Sequence, residues 1–386
     1  MPQRQRRFLA VAVACIVVAV AGLGFVLGRL TAPRDDDRAR PGREPGTIRP
    51  AKPASPSPRP AARPPAGDGQ GAARGTARRA GFSPYVDASM AIEDDRLLGT
   101  APAAGAKELT LAFITSGGGC TPTWGDDAPV RQDRLLAATA RLRAQGGDVR
   151  VSFGGADGKE PAQDCTDETR LAAAYRQVIE TYGLTKADFD IEGQALEDTA
   201  ANERRGRVLA LLQAEAGKAG RPLEVTFTLP VMPHGLDDEA KRVVEAAVRA
   251  GVDVSAVNIM AMNYGPEYRG DMGRYAIDAA TATHAQLTGL LGLDDAADAW
   301  RALHVTAMIG VNDVAGEVFE PADAERLVEF ARSKGLGGLA MWSLSRDRPC
   351  EDGPKAGADA MCSSIEQEPG VFLRAFTAYA GPNPAS

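Results

Sequence analysis

The stretch Ala187-Asp188-Phe189-Asp190-Ile191-Glu192-Gly193 alternates three carboxylates with apolar residues. Side chains along a strand point to alternate faces, so Asp188, Asp190 and Glu192 are expected on one side and Phe189 and Ile191 on the other. Like charges that close cannot all ionise cheaply, so at least one carboxyl is expected to keep its proton to unusually high pH, as a general acid must. Taken alone, the segment also fits an edge strand with a solvated acidic face.

Outward from this segment, apolar β-rich runs recur at Phe82 to Val86, Leu109 to Ile114, Val149 to Phe153, Asp188 to Ile191, Leu223 to Leu229, Ala256 to Met260, Val305 to Ile309 and Gly338 to Trp342. Segments of helical period lie between them. Leu171, Tyr175, Val178, Ile179 and Tyr182 share one helical face, as do Val244 with Val248, and Leu327 with Phe330 and Ala331. Strands alternating with helices predict parallel pairing, and eight such units in one domain predict a closed (β/α)8 barrel, the TIM barrel of the α/β class. An open doubly wound sheet is the alternative, weakened because no G-x-G-x-x-G follows the first strand. Barrel chemistry sits at the C-terminal ends of strands. There the sequence places Glu192 on strand four, Gly154-Gly155 after Ser152 on strand three, Asn263 and Tyr264 beyond strand six, and Trp342 on strand eight.

The chain has 386 residues, and its first thirty are not part of that domain. Arg4, Arg6 and Arg7 precede an uncharged apolar run from Phe8 to Leu27, and about 20 such residues suffice to span a bilayer as a helix, positive end inward. An uncleaved membrane anchor through residues 8–28 is favoured over a cleaved signal peptide, for which Ala19-Val20-Ala21 is the small-x-small site. Both readings export the remainder. From Thr31 to Arg79 the chain is dense in Pro, Arg, Ala and Gly, a disordered tether that buries too little to offset its ordering entropy. Domain boundaries are therefore expected at 1–30, 31–80 and 81–386. Residues 1–80 hold 15 Lys+Arg against 5 Asp+Glu, leaving 29 against 46, net −17, for the domain. So acidic a domain argues against nucleic acid as a partner. A monomer is expected. Four of the five cysteines fall in the domain, and an exported context suggests disulfides. Cys350 with Cys362 closes a short loop, and Cys120 with Cys165 joins two loops after neighbouring strands. Zinc is not expected, because no C-x-x-C spacing occurs and His234, His284 and His304 are scattered.

From Gly81 to Tyr379 the chain resembles glycoside hydrolase family 18, the chitinase family. The family's catalytic strand reads D-G-x-D-x-D-x-E, and Thr185-Lys186-Ala187-Asp188-Phe189-Asp190-Ile191-Glu192 matches the three later acids without the leading Asp-Gly. Val151-Ser152-Phe153-Gly154-Gly155 resembles S-x-G-G on strand three. Asn258-Ile259-Met260-Ala261-Met262-Asn263-Tyr264-Gly265 resembles M-x-M-D-Y on strand six, with Asn263 where Asp is usual, and Gly338 to Ser343 resembles the last strand. The resemblance implies a retaining hydrolase in which the substrate's own 2-acetamido oxygen attacks the anomeric carbon, an exception to the two-carboxylate scheme. Glu192 would protonate the glycosidic oxygen and later activate water. Asp190 would hold the acetamido N–H, and Asp188, deeper in the barrel, would share a proton or hydrogen bond with Asp190, with Ser152 and Tyr85 supplying further donors. Tyr264 would bond the acetamido carbonyl and Trp342 would floor the sugar; Asn263, Met262, Ser152, Gly154, Gly155 and Tyr85 complete the expected substrate-facing set. No metal or organic cofactor is required. Only about two dozen residues separate strands seven and eight, which leaves no room for an α+β insertion and predicts a shallow groove. With three tryptophans, Trp124, Trp300 and Trp342, a stacking track for crystalline polymer is not expected. Soluble N-acetylglucosamine oligomers or a wall glycan fit better. A non-catalytic sugar-binding barrel, and a hydrolase of peptidoglycan or protein-linked glycans, are the alternatives.

Overall fold

The computed structural model describes residues 81–380, apart from 94 and 95. The apolar run at 8–28 and the tether at 31–80 lie outside the described residues. Eight parallel strands build the barrel. The first, β1, is split into Gly81–Phe82 and Tyr85–Asp87 around Ser83-Pro84, as expected where Pro84 removes a ladder donor. The others are β2 (Glu108–Ser116), β3 (Asp148–Gly154), β4 (Lys186–Asp190), β5 (Glu224–Pro230), β6 (Val254–Ala261), β7 (Leu303–Met308) and β8 (Gly338–Trp342). All eight coincide with the runs expected from sequence. The two pieces of β1 close the barrel, with Phe82 paired to Leu339 on β8 and Tyr85 to Thr110 on β2.

Register sets the catalytic strand. On β4, Asp188 pairs with Ser152 and Thr226, and Asp190 with Gly154 and Thr228, so the two acids occupy successive interior layers. Phe189 faces outward, stacked on Phe153 at 5.0 Å and edge-on to Tyr175 at 5.4 Å. Tyr175 belongs to helix α2 (Glu168–Tyr182), which follows α1 (Asp133–Ala144). Asp167 accepts the N–H of Arg170 at the start of α2, and Gly183 ends it with a left-handed φ of 56°, as caps do. The outer ring continues with α3 (Thr199–Lys218), α4 (Asp238–Arg249), α5 (Met272–Leu291), α6 (Pro321–Lys334) and α7 (Val371–Thr377). One face assignment is corrected on α4. Val244 is buried, but Val248 is 37% exposed, because burial of Ala247 turns the next position, about 100° round the helix, toward water.

The described residues contain both expected disulfides, Cys120–Cys165 and Cys350–Cys362. The connection from β7 to β8 has no α+β insertion. It consists of an antiparallel hairpin, Gly310–Val311 with Val318–Phe319, followed by α6, and this hairpin shapes the rim. Among the described residues no helix is long and apolar enough to cross a membrane.

Candidate functional site

Asp188 lies deepest. It is 1% exposed, and hydroxyls take both carboxylate oxygens. Ser152 Oγ and Tyr85 OH donate to Oδ2 at 2.7 and 3.0 Å, and Thr228 Oγ1 donates to Oδ1 at 2.7 Å. Asn258 ties the layer together, its Nδ2 donating to Tyr85 OH, Thr228 Oγ1 and Thr306 Oγ1 at 3.2, 2.9 and 2.8 Å. Burial raises the Asp188 pKa while these hydroxyls and the nearby Arg150 charge oppose the rise. A buried carboxylate needs such partners. Three hydroxyls, those of Ser152 and Tyr85 as expected and that of Thr228, thus hold Asp188 in place of the expected bond to Asp190.

Asp190, one layer higher, is equally buried but has a different environment. Its Oδ1 has no hydrogen-bond partner. Burial raises its pKa well above the carboxylate range, and the charges of Glu192 and Asp188 add to the rise. Glu192 stands two residues past the end of β4, half-buried, its pKa pushed up to about 7 by burial first and then by Asp157 and Asp313. The stacked acids expected from the alternation are thus present, with two of them strongly biased toward protonation.

These acids surround a cavity of about 330 Å³ at the C-terminal mouth of the barrel. Tyr85, Phe113 and Trp342 make one wall, with Phe113 and Trp342 stacked at 5.5 Å and Tyr85 edge-on to Trp342 at 6.0 Å. Met232, Met260, Met262 and Met308 make another, and Asp190, Glu192, Asn263, Asp237 and Asp313 supply the polar lining. Ser152, Gly154 and Gly155, expected to face substrate, do not line the cavity. Ser152 donates its hydroxyl to Asp188, the donor role expected of it, and does not face substrate. Gly154, at φ +103°, lets β3 press on β4, where a Cβ would sit 2.1 Å from the Asp190 carbonyl oxygen. Gly155, at φ +89°, donates its N–H to that oxygen at 3.1 Å, and a Cβ there would strike the Phe113 ring at 2.8 Å. The two glycines therefore place Asp190 and the aromatic wall by backbone shape.

Tyr264 is the second correction. It is 4% exposed, absent from the cavity lining, and packed against the rings of Tyr268 and Tyr275 at 5.7 and 6.1 Å. Its hydroxyl is buried without a hydrogen-bond partner, and burial and the Glu317 charge raise its pKa. A cause is local geometry. Asn263 adopts a left-handed φ of 55°, a conformation Asn tolerates, and so delivers its own amide rather than the next side chain to the rim. That amide is clamped to the hairpin after β7. Its Nδ2 donates to Asp313 Oδ2 at 3.0 Å, and its Oδ1 accepts the N–H groups of Asp313 and Val314 at 3.0 and 3.2 Å. Glu317 completes the clamp by accepting the Gly265 N–H at 2.9 Å. Phe113, Asp313 and Glu317 went unnoticed in the sequence; the last two had only the turn-forming run Asn312-Asp313 as a signal, and Phe113 reads as an ordinary strand residue.

No family model matches the chain. It is 34% identical over 278 residues to a probable bifunctional chitinase/lysozyme of Escherichia coli (strain K12), covering 69% of this chain and 31% of that one. It is 33% identical over 277 residues to endochitinase 11 of Metarhizium anisopliae, covering 69% and 52%. The chain thus spans 31% and 52% of the length of these curated relatives. The solved catalytic domain of a hyperthermophilic chitinase from Pyrococcus furiosus superposes with a TM-score of 0.69 at 31% identity, over 78% of this chain and 95% of that domain.

Proposed function

The chain belongs to glycoside hydrolase family 18, and from that premise we propose that its barrel cleaves β-1,4-linked N-acetylglucosamine glycans with retention, by substrate-assisted catalysis. The carrying observation is the pair Asp190 and Glu192 at one cavity, the first with a buried oxygen left open and the second protonated up to about pH 7. Glu192 gives its proton to the glycosidic oxygen as that bond breaks. The acetamido carbonyl oxygen of the same sugar forms the new bond to the anomeric carbon, generating a cyclic oxazolinium ion. Asp190 Oδ1 accepts the acetamido N–H, so its contact strengthens as positive charge develops. The Glu192 carboxylate then takes a proton from water, whose oxygen opens the ring. Asp188 and its hydroxyls hold Asp190 on its strand, and the Trp342, Phe113 and Tyr85 wall receives the apolar face of the sugar.

Among the described residues, the cavity lining holds four carboxylates and no lysine or arginine. That charge suits neutral chito-oligosaccharides better than peptidoglycan, whose peptides carry carboxylates of their own. The two disulfides suit an oxidising compartment, and the arginine-flanked apolar run supports export with a membrane anchor at residues 8–28 and the tether at 31–80. The decisive assay is hydrolysis of chito-oligosaccharides, peptidoglycan and a high-mannose glycoprotein by the full chain. Cleavage of the first, inhibited by a thiazoline mimic of the cyclised intermediate, is expected. Capture of a covalent glycosyl-enzyme, or efficient cleavage at a sugar bearing a free amine, would overturn the mechanism.

A further inference from the structure

The rim clamp poses a question that the catalytic strand does not answer. Position 263 carries an amide where the resemblance has a carboxylate, yet a carboxylate still stands beside it. It comes from another element. Asp313, on the hairpin after β7, lines the same cavity as Glu192 and is fixed there by three hydrogen bonds to the Asn263 side chain, one to its carboxylate and two from its own and the next backbone N–H. The hairpin is itself anchored by Glu317 to Gly265 and by the Asn312 N–H to the Glu317 carbonyl at 2.9 Å. A side chain so tethered keeps its charge at one place instead of sweeping through solvent.

We propose that Asp313, clamped by Asn263, is a positioning residue whose negative charge holds the catalytic proton on Glu192, the charge being supplied by the hairpin while strand six supplies only the amide that aims it. The proposal rests on Glu192 being the general acid. Asp157 from the loop after β3 and Asp313 from the hairpin raise the Glu192 pKa, and Glu192 in turn raises that of Asp190 on its own strand. Asp237 also lines the cavity and caps α4 through Ala240 N–H, and the buried Arg346 guanidinium, in the 3₁₀ turn after β8, is a cation that interacts with Asp313. Asp313 is exposed in the free enzyme, so its field is screened by salt. A sugar bound in the cavity displaces water and strengthens that field.

The test is the alkaline limb of the kcat/KM profile, which reports the general acid of the free enzyme. Asp313→Asn preserves the shape and the acceptor for Asn263. It should move the limb, near pH 7 in the wild type, toward acid by about 0.5 unit at low ionic strength, and by less at high salt. Rate on the acid side of the limb should stay within about twofold, because the charge shifts a proton equilibrium and touches no reacting atom. The exchange Asn263→Asp with Asp313→Asn should return the limb to its wild-type position, and keeps the question answerable if the single variant folds poorly. Superimposable profiles for wild type and Asp313→Asn would overturn the proposal, as would a loss of rate with an unmoved limb, the signature of a merely structural contact. Full activity in Glu192→Gln would overturn the general-acid reading beneath it, and this proposal with it.

Discussion

The two mouths of the barrel treat charge in opposite ways. At the N-terminal mouth a cavity of about 200 Å³ is lined by residues of both signs, among them Glu108, Arg150, Lys186 and Glu224, and Lys186 forms an ion pair with Glu108. At the C-terminal mouth, Asp190, Glu192, Asp237 and Asp313 line about 330 Å³ with no lysine or arginine among them. One strand joins the two, since β4 begins at Lys186 and ends at Asp190. Where only the fold is at stake, a partly buried charge is neutralised; where substrate must be handled, carboxylates are left to repel one another and so to retain protons. Between the mouths, the Asp188 layer of hydroxyls and Asn258 separates the two regimes.

The sharpest way to break this comparison is to remove the charge that the upper mouth holds most uneasily. Glu192→Gln should reduce turnover on chito-oligosaccharides at least about 10²-fold, the usual contribution of a positioned general acid. It should also reveal the stability given up for that role. A glutamate at its ordinary 4.5 when unfolded and at about 7 when folded binds more protons in the native state between those values, so stability falls as pH rises through that window and stays low above it. The glutamine variant escapes this loss. Its melting temperature should exceed the wild type's near pH 8 and match it near pH 4, measured by calorimetry; a variant less stable at the higher pH would show that Glu192 is not under repulsive load.

Asp190→Asn follows in size. The amide keeps the shape but, unlike the carboxyl, cannot ionise to meet the developing oxazolinium with a negative charge, so turnover should fall by about 10- to 100-fold with little change in KM. Because burial and both neighbouring acids hold the Asp190 pKa up, neutralising it should not lower the melting temperature at neutral pH. A rise in KM with unchanged kcat would assign Asp190 to ground-state binding alone. At the other mouth the signs reverse. Lys186→Met leaves Glu108 without its partner in a partly buried pair, and should lower stability by about 1–3 kcal/mol in urea melts while kcat stays the same. A change in kcat there would mean that the Asp188 layer does not insulate the site.

How far the sequence reached follows the same division. Alternation on β4 and apolar runs elsewhere disclosed all eight strands and the acid ladder, because period-2 burial and buried carboxylates leave marks that single residues carry. The disulfides were legible for a similar reason: few cysteines, few pairings. The rim was not. Its geometry depends on which residue of Asn263-Tyr264-Gly265 takes a left-handed φ, and on a hairpin of two-residue strands that brings Asp313 to within hydrogen-bonding distance of a residue 50 positions away. No local pattern encodes such a meeting. Ser152 and Tyr85 were legible as donors to the buried acids, whereas Gly154 and Gly155 were found for a sound reason but given the wrong task, since a motif near the site says that residues matter there and not whether they act on substrate or on Asp190 and Phe113.

Tyr264 provides the smallest expected effect and a clean separation of motif from geometry. If its hydroxyl held the acetamido carbonyl, as the motif implies, Tyr264→Phe would remove a contact that strengthens in the transition state and turnover would fall by an order of magnitude or more. The folded protein instead has that hydroxyl buried, unpartnered and beside Glu317, with its ring packed between Tyr268 and Tyr275 and no share in the cavity lining. Removing one oxygen there keeps the ring contacts and relieves a buried polar group of its missing partner, a change that is neutral or stabilising by up to about 1 kcal/mol. Tyr264→Phe should therefore keep kcat and KM within about twofold of wild type and unfold at the same or slightly higher urea concentration. A tenfold fall in kcat with unchanged stability would place the hydroxyl in contact with substrate after all, and would require the segment Asn263-Tyr264-Gly265 to turn over when sugar binds.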